Sequence, residues 1–331
     1  MTRPALALLH KKFPAAEMDL LVSDDLAPLF DGAPGIHRTI GLSDHWFAGH
    51  PSAWRQLWSA FKILGVLKKN RYNLAIDFRG DFRHILLMFF AGIPKRLGYG
   101  ITGGGFLLTD TQLYPWDAHQ VYVNIKILES LGISSPAEPE NSPLAIAASQ
   151  RLKFQNAAGK FLTNRHAPRI LLHAGAGYPS KRWPGERFQE LIQRMLQKLS
   201  GQIILIGTEA EKKFLGDVPP AGERIMDLRG KTVLEDLPVL FEASQIFIGN
   251  DSGPAHLAAA QGLETIVLFS GTNDAKTWHP WTKRLHLLTH PVPCSPCEAR
   301  ECPLGHHDCM KKITIDRVFE EIQATLGRIH A

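Results

Sequence analysis

The chain has 331 residues, which suits two domains of ordinary size, and its hydrophobic and charged shares of 44% and 21% are normal for a globular protein. Its net charge of +5 favours acidic ligands such as phosphates or an anionic membrane surface, and no Lys/Arg run is dense enough to indicate nucleic acid. Residues 5–9 are too short for a secretory signal and residues 85–93 too short to span a bilayer, so we expect a cytoplasmic protein with at most peripheral membrane contact.

Short apolar strands alternate with amphipathic stretches, a pattern typical of α/β units built on parallel sheets. In the first half this pattern predicts strands at residues 18–22, 73–78 and 96–100 and helices at residues 4–13, 85–90 and 121–131. A doubly wound domain normally opens with a strand, whereas this chain opens in a helix. We therefore expect the first strand and its following loop to be missing, either because the start is truncated or because the first domain is unusual.

A proline-rich segment at residues 133–142 predicts the linker between two domains, with the boundary between this segment and Pro168. We expect a first domain at residues 1–150 and a second at residues 165–331. In the second, predicted strands lie at residues 170–173, 203–206, 246–249 and 265–269, with a helix after Pro184 and a closing helix at 314–329. Two doubly wound halves facing each other, with ligands at the carboxyl ends of the strands, are the natural interpretation.

The strongest functional motif is G-N-D-S-G-P-A-H at residues 249–256, between a predicted strand and a helical run. Pro254 suits a first helical turn, and Gly253 lets a ligand approach the backbone closely. Unpaired N–H groups at such a helix start bind anions, and a diphosphate is the obvious occupant. In the alternative interpretation, which the motif alone favours equally, Asp251 caps the helix and His256 packs locally.

Two further loops follow predicted strands in the same half. In S-K-R-W-P at residues 180–184, Lys181 would suit a leaving diphosphate, or it is a solvated lysine beside a core tryptophan. In the turn at residues 207–211, Glu209 or Glu211 could accept hydrogen bonds from a ribose, or simply favour a helix start. Together the three loops predict a nucleotide site that lacks both a P-loop and a complete Gly-x-Gly-x-x-Gly fingerprint.

All four cysteines fall in one short segment, residues 294–309, which we call the cysteine loop (Cys294, Cys297, Cys302 and Cys309). The spacing is that of a tetrahedral zinc or iron site, and a structural role is favoured because four thiolates leave no open position for substrate. The alternative is a cysteine-rich loop packed without metal, and the two carry equal weight. Disulfides are disfavoured in a cytoplasmic chain.

In combination these motifs resemble glycosyltransferase family 9, the heptosyltransferases of lipopolysaccharide core assembly. The resemblance spans nearly the whole chain and is strongest at residues 171–313, in H-A-G at 173–175, K-R-W-P at 181–184, the turn at 207–211, D-S-G-P-A-H at 251–256 and C-S-P-C at 294–297. In the first half, residues 13–22 and D-F-R-G at 77–80 match the family as well.

The resemblance implies a GT-B fold with a nucleotide-sugar donor, ADP-heptose, in the second domain. Lys181 would bind the donor phosphates and Glu211 the nucleoside, while the diphosphate and sugar would be lined by Asp251, Ser252, Gly253 and His256. The first domain would hold a phosphorylated, lipid-anchored saccharide acceptor at the inner membrane, and its candidate residues are Arg79, Arg83 and His119.

The implied reaction is inverting transfer, in which the acceptor hydroxyl attacks the anomeric carbon and ADP leaves without needing a metal. The family's proposed base is an Asp in the loop after the first strand. No residue here matches it, so the base is expected upstream of Met1, and Asp81 is expected to cap a helix instead. Three alternatives stay open: a transferase or epimerase using another nucleotide sugar, a non-catalytic nucleotide- or glycan-binding relative, and a metal-dependent interaction module built on the cysteine loop.

Overall fold

Two units, Met1–Glu140 and Asn141–Ala331, make up the structure, a computed structural model that describes residues 1–42, 53–158, 167–219 and 222–330. Both consist of parallel strands that alternate with helices, as the sequence pattern predicts. The second unit begins near the end of the proline-rich segment, at Asn141, whose Nδ2 donates to the carbonyls of Ala259 and Trp281. Within the described ranges, no helix is long and apolar enough to cross a membrane.

The first unit holds two separate parallel sheets. Its elements are α1 (Arg3–Lys12), β1 (Met18–Ser23), β2 (Ile36–Leu42), α2 (Ala53–Asn70), β3 (Leu74–Asp77), α3 (Phe82–Phe90), β4 (Lys95–Gly98), β5 (Asp110–Thr111) and α4 (Gln120–Lys126). Strand β1 pairs with β2, and β3, β4 and β5 pair in that order. Every strand and helix predicted in this half is confirmed to within a few residues, although the helix predicted at 121–131 turns into a 3₁₀ helix from Ile127. Strands β2 and β5 and helix α2 were not predicted.

The second unit is one six-stranded parallel sheet between two layers of helices. Its elements are α5 (Ala148–Ala158), β6 (Arg169–His173), α6 (Gly185–Lys198), β7 (Gln202–Ile206), α7 (Lys212–Leu215), β8 (Ile225–Asp227), α8 (Leu237–Glu242), β9 (Ile246–Asn250), α9 (Gly253–Ala260), β10 (Glu264–Leu268), α10 (Ala275–Trp278), β11 (Leu285–Leu288), α11 (Asp308–Lys311) and α12 (Ile315–His330). All the strands and helices predicted here are confirmed.

Helices cover both faces of this sheet because its strands are apolar on both sides. On one face, Leu172 and Ile248 pack against the buried stripe of α6, which is Phe188, Leu191, Ile192 and Met195, and against the closing helix α12. On the other face, Leu171 and Phe247 pack against α8 and α9. The closing helix thus belongs to the core of the second unit.

The strand order of this sheet is β11-β10-β9-β6-β7-β8. The chain starts at β6, moves outward to β8, and then returns to β9 on the other side of β6. The order therefore reverses between β6 and β9, and the helices that follow these two strands leave on opposite faces of the sheet. A crevice opens at such a point outside the carboxyl ends of the strands, which is where doubly wound proteins bind their ligands. Here those ends are His173 and Asn250.

Candidate functional site

The polar residues predicted in three separate loops of the second unit meet at this crevice. The ammonium of Lys181 and the imidazole of His256 both approach the carboxylate of Asp251. A second group of polar residues lies beside this one: the ring of His173 contacts both Ser252 and Glu211. The structure thus brings together all the predicted donor-site residues: Lys181, Glu211, Asp251, Ser252, Gly253 and His256.

Lys181 and Asp251 form a buried ion pair across the crevice. The Nζ of Lys181 donates to Oδ2 of Asp251 at 2.6 Å, although 70 positions separate them in the sequence. The aspartate side chain is 3% exposed and the lysine side chain 15%. Burial by itself would raise the pKa of Asp251, but His256 and Lys181 outweigh it and hold this pKa below its usual range. The carboxylate therefore stays ionised and fixes the lysine in place.

His256 completes this pair from the first turn of α9. Its Nε2 lies 3.7 Å from Oδ1 of Asp251, while no hydrogen-bond partner within the described residues reaches its buried Nδ1. Burial lowers the pKa of His256, and the neighbouring carboxylate opposes that shift only in part. An imidazole held in this way can donate a hydrogen bond to an anionic ligand at the start of the helix.

The interpretation of Asp251 as a helix cap is wrong. The N-cap of α9 is Ser252, whose side chain makes no capping bond, and the carboxylate of Asp251 turns back to Lys181 instead. Pro254 occupies the first turn as predicted. Gly253 lies beside the crevice with open space where a Cβ would stand, so a ligand can reach the helix start.

Glu211 lies on the other side of the crevice in a capping box. Its carboxylate accepts from the backbone N–H of Thr208 at 2.8 Å, and its own N–H donates to the Thr208 hydroxyl at 3.2 Å. Burial would raise its pKa, but His173 and Thr208 lower this pKa to about 2. The helix-start interpretation of this residue is therefore right, and one face of the same carboxylate still lines the crevice.

A glycine makes room for this carboxylate. A Cβ on Gly175 would lie 1.9 Å from Oε1 of Glu211 and 2.8 Å from Nε2 of His173. Any side chain at this position would therefore push Glu211 out of the site. The second residue after β6 has to be glycine for His173 and Glu211 to meet at 3.4 Å.

A cavity of about 290 Å³ lies beside His173, Glu211 and Ser252. Its polar lining comes from His173, Thr208, Glu211, Thr232 and Ser252, and its apolar lining from Ile206, Val233, Leu234, Leu237 and Pro254. Apolar walls suit a planar base, and a single ionised carboxylate suits the hydroxyls of a ribose. The sequence did not indicate that Thr232–Leu234 line the cavity. These residues reach it only because of the path that the chain takes after β8.

Asn250, the last residue of β9, holds three loops of the site together. Its side chain is fully buried. The Nδ2 donates to the carbonyls of Ala174 at 2.8 Å and Gly175 at 3.3 Å, and Oδ1 accepts from the N–H of Trp183 at 3.0 Å. The sequence motif contained this residue, but its role as a hub was not predicted.

The cysteine loop supports Lys181 from behind through Ser180, which is 3% exposed. The Ser180 N–H donates to the Arg300 carbonyl at 3.1 Å, and its hydroxyl donates to the Ala299 carbonyl at 2.6 Å. Its own carbonyl accepts from Nε2 of His307 at 2.9 Å. Every polar atom of Ser180 is therefore bound to the cysteine loop, which sets the position from which Lys181 reaches Asp251.

The four cysteines are free thiols. Burial and the charges of Cys297, Cys302 and Cys294 raise the pKa of Cys309, while the N–H of Gly271 partly opposes them. Throughout the part of the chain that the structure describes, no group of three or more His, Cys, Asp or Glu side chains is arranged to hold a metal ion. The zinc or iron site stays a prediction from sequence.

The predicted acceptor residues lie in the first unit. Asp81 caps α3 as expected, accepting from the N–H of Arg83 at 2.9 Å, and its carboxylate pairs with the Arg83 guanidinium at 2.6 Å. Arg79 is exposed on the loop after β3. His119 is 6% exposed and caps α4, where its Nδ1 accepts from the N–H of Val121 at 3.2 Å. Their role toward an acceptor stays a prediction.

Residues 60–307 match the model of a family described as glycosyltransferase family 9 (heptosyltransferase). Lipooligosaccharide heptosyltransferase 2 of Campylobacter jejuni is 27% identical to the chain, over 100% of the chain and 95% of that relative. Lipopolysaccharide heptosyltransferase 2 of Escherichia coli K12 is 25% identical, over 98% and 94%. The solved structure of E. coli ADP-heptose lipopolysaccharide heptosyltransferase II has a TM-score of 0.81 at 22% identity, covering 100% of this chain and 95% of that one. This structural match confirms the predicted GT-B fold.

Proposed function

The chain belongs to glycosyltransferase family 9, and on that premise we propose that it moves a heptose from ADP-heptose to a phosphorylated saccharide of the lipopolysaccharide core. The observation that carries this proposal is the Lys181–Asp251 pair beside the start of α9, next to the 290 Å³ cavity. A fixed cation and a helix start suit a diphosphate. An apolar pocket with one carboxylate suits a nucleoside.

In this proposal the donor lies along the carboxyl edge of β6 and β9. The base occupies the apolar side of the cavity, and Glu211 accepts hydrogen bonds from the ribose hydroxyls. Lys181 and His256 meet the diphosphate, together with the N–H groups at the start of α9. Asp251 acts through Lys181 and His256, because its two oxygens already face the Lys181 ammonium and the His256 imidazole.

The acceptor hydroxyl attacks the anomeric carbon from the face opposite the diphosphate, and the bond to the β-phosphate oxygen breaks as the new bond forms. Negative charge then grows on the departing ADP. Lys181 and the helix start are aimed at that charge before the reaction begins, which is how fixed dipoles lower a barrier. Because these groups neutralise the leaving group, no metal is needed for the transfer. We assign the general base to none of the described residues.

We place the acceptor in the first unit. Arg79 and Arg83, both exposed on or after the loop that follows β3, would meet its phosphates. Since the acceptor would be anchored in lipid, the protein would work on the cytoplasmic side of the inner membrane, in peripheral contact with it.

For the cysteine loop we propose a structural zinc or iron held by Cys294, Cys297, Cys302 and Cys309. Four soft thiolate ligands suit either metal, and Gly271 lies beside both Cys297, whose N–H donates to its carbonyl at 3.0 Å, and Cys309. The metal would stiffen the loop and take no part in the transfer. Metal analysis of the purified protein, combined with titration of the thiols, should give one bound metal and few reactive thiols; four freely reactive thiols without metal would contradict it.

The donor assignment is tested by calorimetric titration of the purified chain with ADP and, separately, with UDP. We expect ADP to bind and UDP to bind at least about tenfold more weakly. Glu211→Gln should weaken the binding of ADP several-fold, because a charged hydrogen bond to the ribose is lost. Glu186→Gln is the matched control, since Glu186 is an exposed glutamate at the start of α6. A preference for UDP would indicate a different nucleotide sugar, and no binding of either would overturn the donor site.

A further inference from the structure

Helix α2 of the first unit has an inner face that is ordinary core. Ile63 and Leu67 are 6% and 8% exposed and pack with Leu42 of β2 and Leu87 of α3. These contacts fix the rotation of the helix about its own axis. Its opposite face therefore points away from this core and into solvent.

That outer face carries two large aromatic side chains. Trp58 is 74% exposed and Phe61 is 68% exposed, and their spacing of three positions places them one turn apart on the same side. Such side chains are normally covered in a soluble protein. Farther along the same stripe lie exposed lysines, at Lys62, Lys68 and Lys69. We call this stripe, from Trp58 to Lys69, the outer face of α2.

The charge on the outer face is one-sided. Residues 45–76 contain five Lys or Arg and no Asp or Glu, in a chain whose totals are nearly balanced at 37 and 32. None of the ion pairs formed between described residues involves the three lysines of the outer face. The three lysines are exposed, so their charges add up toward a ligand that approaches this face.

We infer that the outer face of α2 binds an anionic lipid surface. An aromatic ring at a bilayer interface buries its apolar body among acyl chains and headgroups, while lysines on the same helix reach the phosphates. Ile63 and Leu67 are occupied by the protein core, so Trp58 and Phe61 are the side chains of α2 that would enter the bilayer, with the lysines at the headgroups.

A second copy of the chain is a poorer occupant of this face. In a symmetric dimer the same face meets itself, so the three lysines of each helix would approach three lysines of the other. Like charges brought together in this way oppose association, whereas anionic headgroups complement them. The charge distribution thus favours lipid over self-association.

Lipid binding by α2 rests on, and gives a surface for, the peripheral membrane contact proposed above, and it needs neither the donor nor the acceptor. It requires only that α2 be folded as described, and binding to lipid can be measured with no sugar present. A failure of lipid binding would leave the ADP titration unaffected, and a failure of ADP binding would leave the lipid result standing.

The test is flotation with vesicles of equal parts phosphatidylglycerol and phosphatidylcholine, compared with vesicles of phosphatidylcholine alone. We expect the protein to float only with the anionic vesicles and to be released by salt. Trp58→Ser combined with Phe61→Ser should weaken binding by at least about tenfold. Replacing Lys62, Lys68 and Lys69 by Gln should cost roughly fivefold for each lysine at low salt.

Trp116→Ser provides the matched control. Trp116 is 73% exposed, nearly the same as Trp58, but the next residue is the acidic Asp117, whereas Lys62 lies one helical turn from Trp58. This control should bind vesicles like the unchanged protein. Equal loss in the Trp116 variant, or no binding by the unchanged protein, would overturn the inference. A concentration-dependent dimer that the Trp58 and Phe61 variant abolishes would overturn it too, in favour of an interface between copies. A thermal melt followed by circular dichroism should be run on each variant to check that it is folded.

Discussion

Each unit places an ion pair just after a strand, but the two pairs are built in different ways. In the first unit, Asp81 and Arg83 lie two positions apart, and the aspartate also caps α3. In the second unit, Lys181 and Asp251 come from different loops and meet only because β6 and β9 are neighbours in the sheet. The first pair stabilises a local helix start. The second pair fixes a cation at a crevice, which is what a site for an anionic ligand requires.

The largest difference between the two pairs should appear in stability. Asp251→Asn leaves the Lys181 ammonium, 15% exposed, without its carboxylate, and losing one partner of a buried pair should lower the free energy of unfolding by about 3 kcal/mol. Asp81→Asn keeps a good N-cap and loses only a partly exposed pair, so it should cost no more than about 0.5 kcal/mol. Urea unfolding of both variants measures the contrast, and equal losses would mean that the second pair is no more than a surface contact.

Lys181 is held both by the Asp251 carboxylate and, through Ser180, by the cysteine loop, and the second support should have a smaller effect. Ser180→Ala removes the hydroxyl that donates to the Ala299 carbonyl, and it should weaken the binding of ADP roughly fivefold, the equivalent of about 1 kcal/mol. Ser244 is the matched control, because its hydroxyl is also buried and donates to a backbone carbonyl, that of Leu240. Ser244→Ala should lose similar stability and keep its affinity for ADP. Unchanged ADP affinity in Ser180→Ala would mean that the cysteine loop does not set the position of Lys181.

An effect of similar size concerns the dependence of stability on pH. The pKa of Glu211 is lowered from 4.5 to about 2 in the folded protein, so its contribution to stability is fully present above pH 4.5 and is lost as the pH falls toward 2. Glu211→Gln should therefore reduce the loss of stability between pH 7 and pH 3 by about 1 kcal/mol, after allowance for solvent screening. Urea unfolding at both pH values tests this, and an identical pH dependence in the variant would mean that His173 and Thr208 do not hold the carboxylate as described.

Much of the fold could be predicted because its strands are short apolar runs separated by turn residues. Among the missed elements, the shortest strands carry no such signal. Strand β5 has two residues and β8 has three, too few for any period to appear. Helix α2 was missed for a different reason: Trp58 and Phe61 stand on its outer face, so apolar residues surround the helix and hide its amphipathic period.

The candidate site could be predicted as a set of loops, because parallel strands bring their carboxyl ends to one edge of the sheet. The contacts within the set could not. Nothing in the sequence indicates that Asp251 turns to Lys181 rather than to its own helix, since this depends on the strand order. The same holds for Asn250 and Ser180, whose partners come from other loops.

The most direct test of the central claim is calorimetric titration of Lys181→Ala with ADP and with adenosine, beside Arg83→Ala as the control from the other unit. Adenosine lacks the phosphates, so the fixed cation should matter for ADP alone. We predict that Lys181→Ala weakens the binding of ADP by at least about tenfold and the binding of adenosine by less than about twofold. Arg83→Ala should change neither affinity. Equal weakening of both ligands by Lys181→Ala, or unchanged binding of ADP, would contradict the assignment of Lys181 to the donor diphosphate.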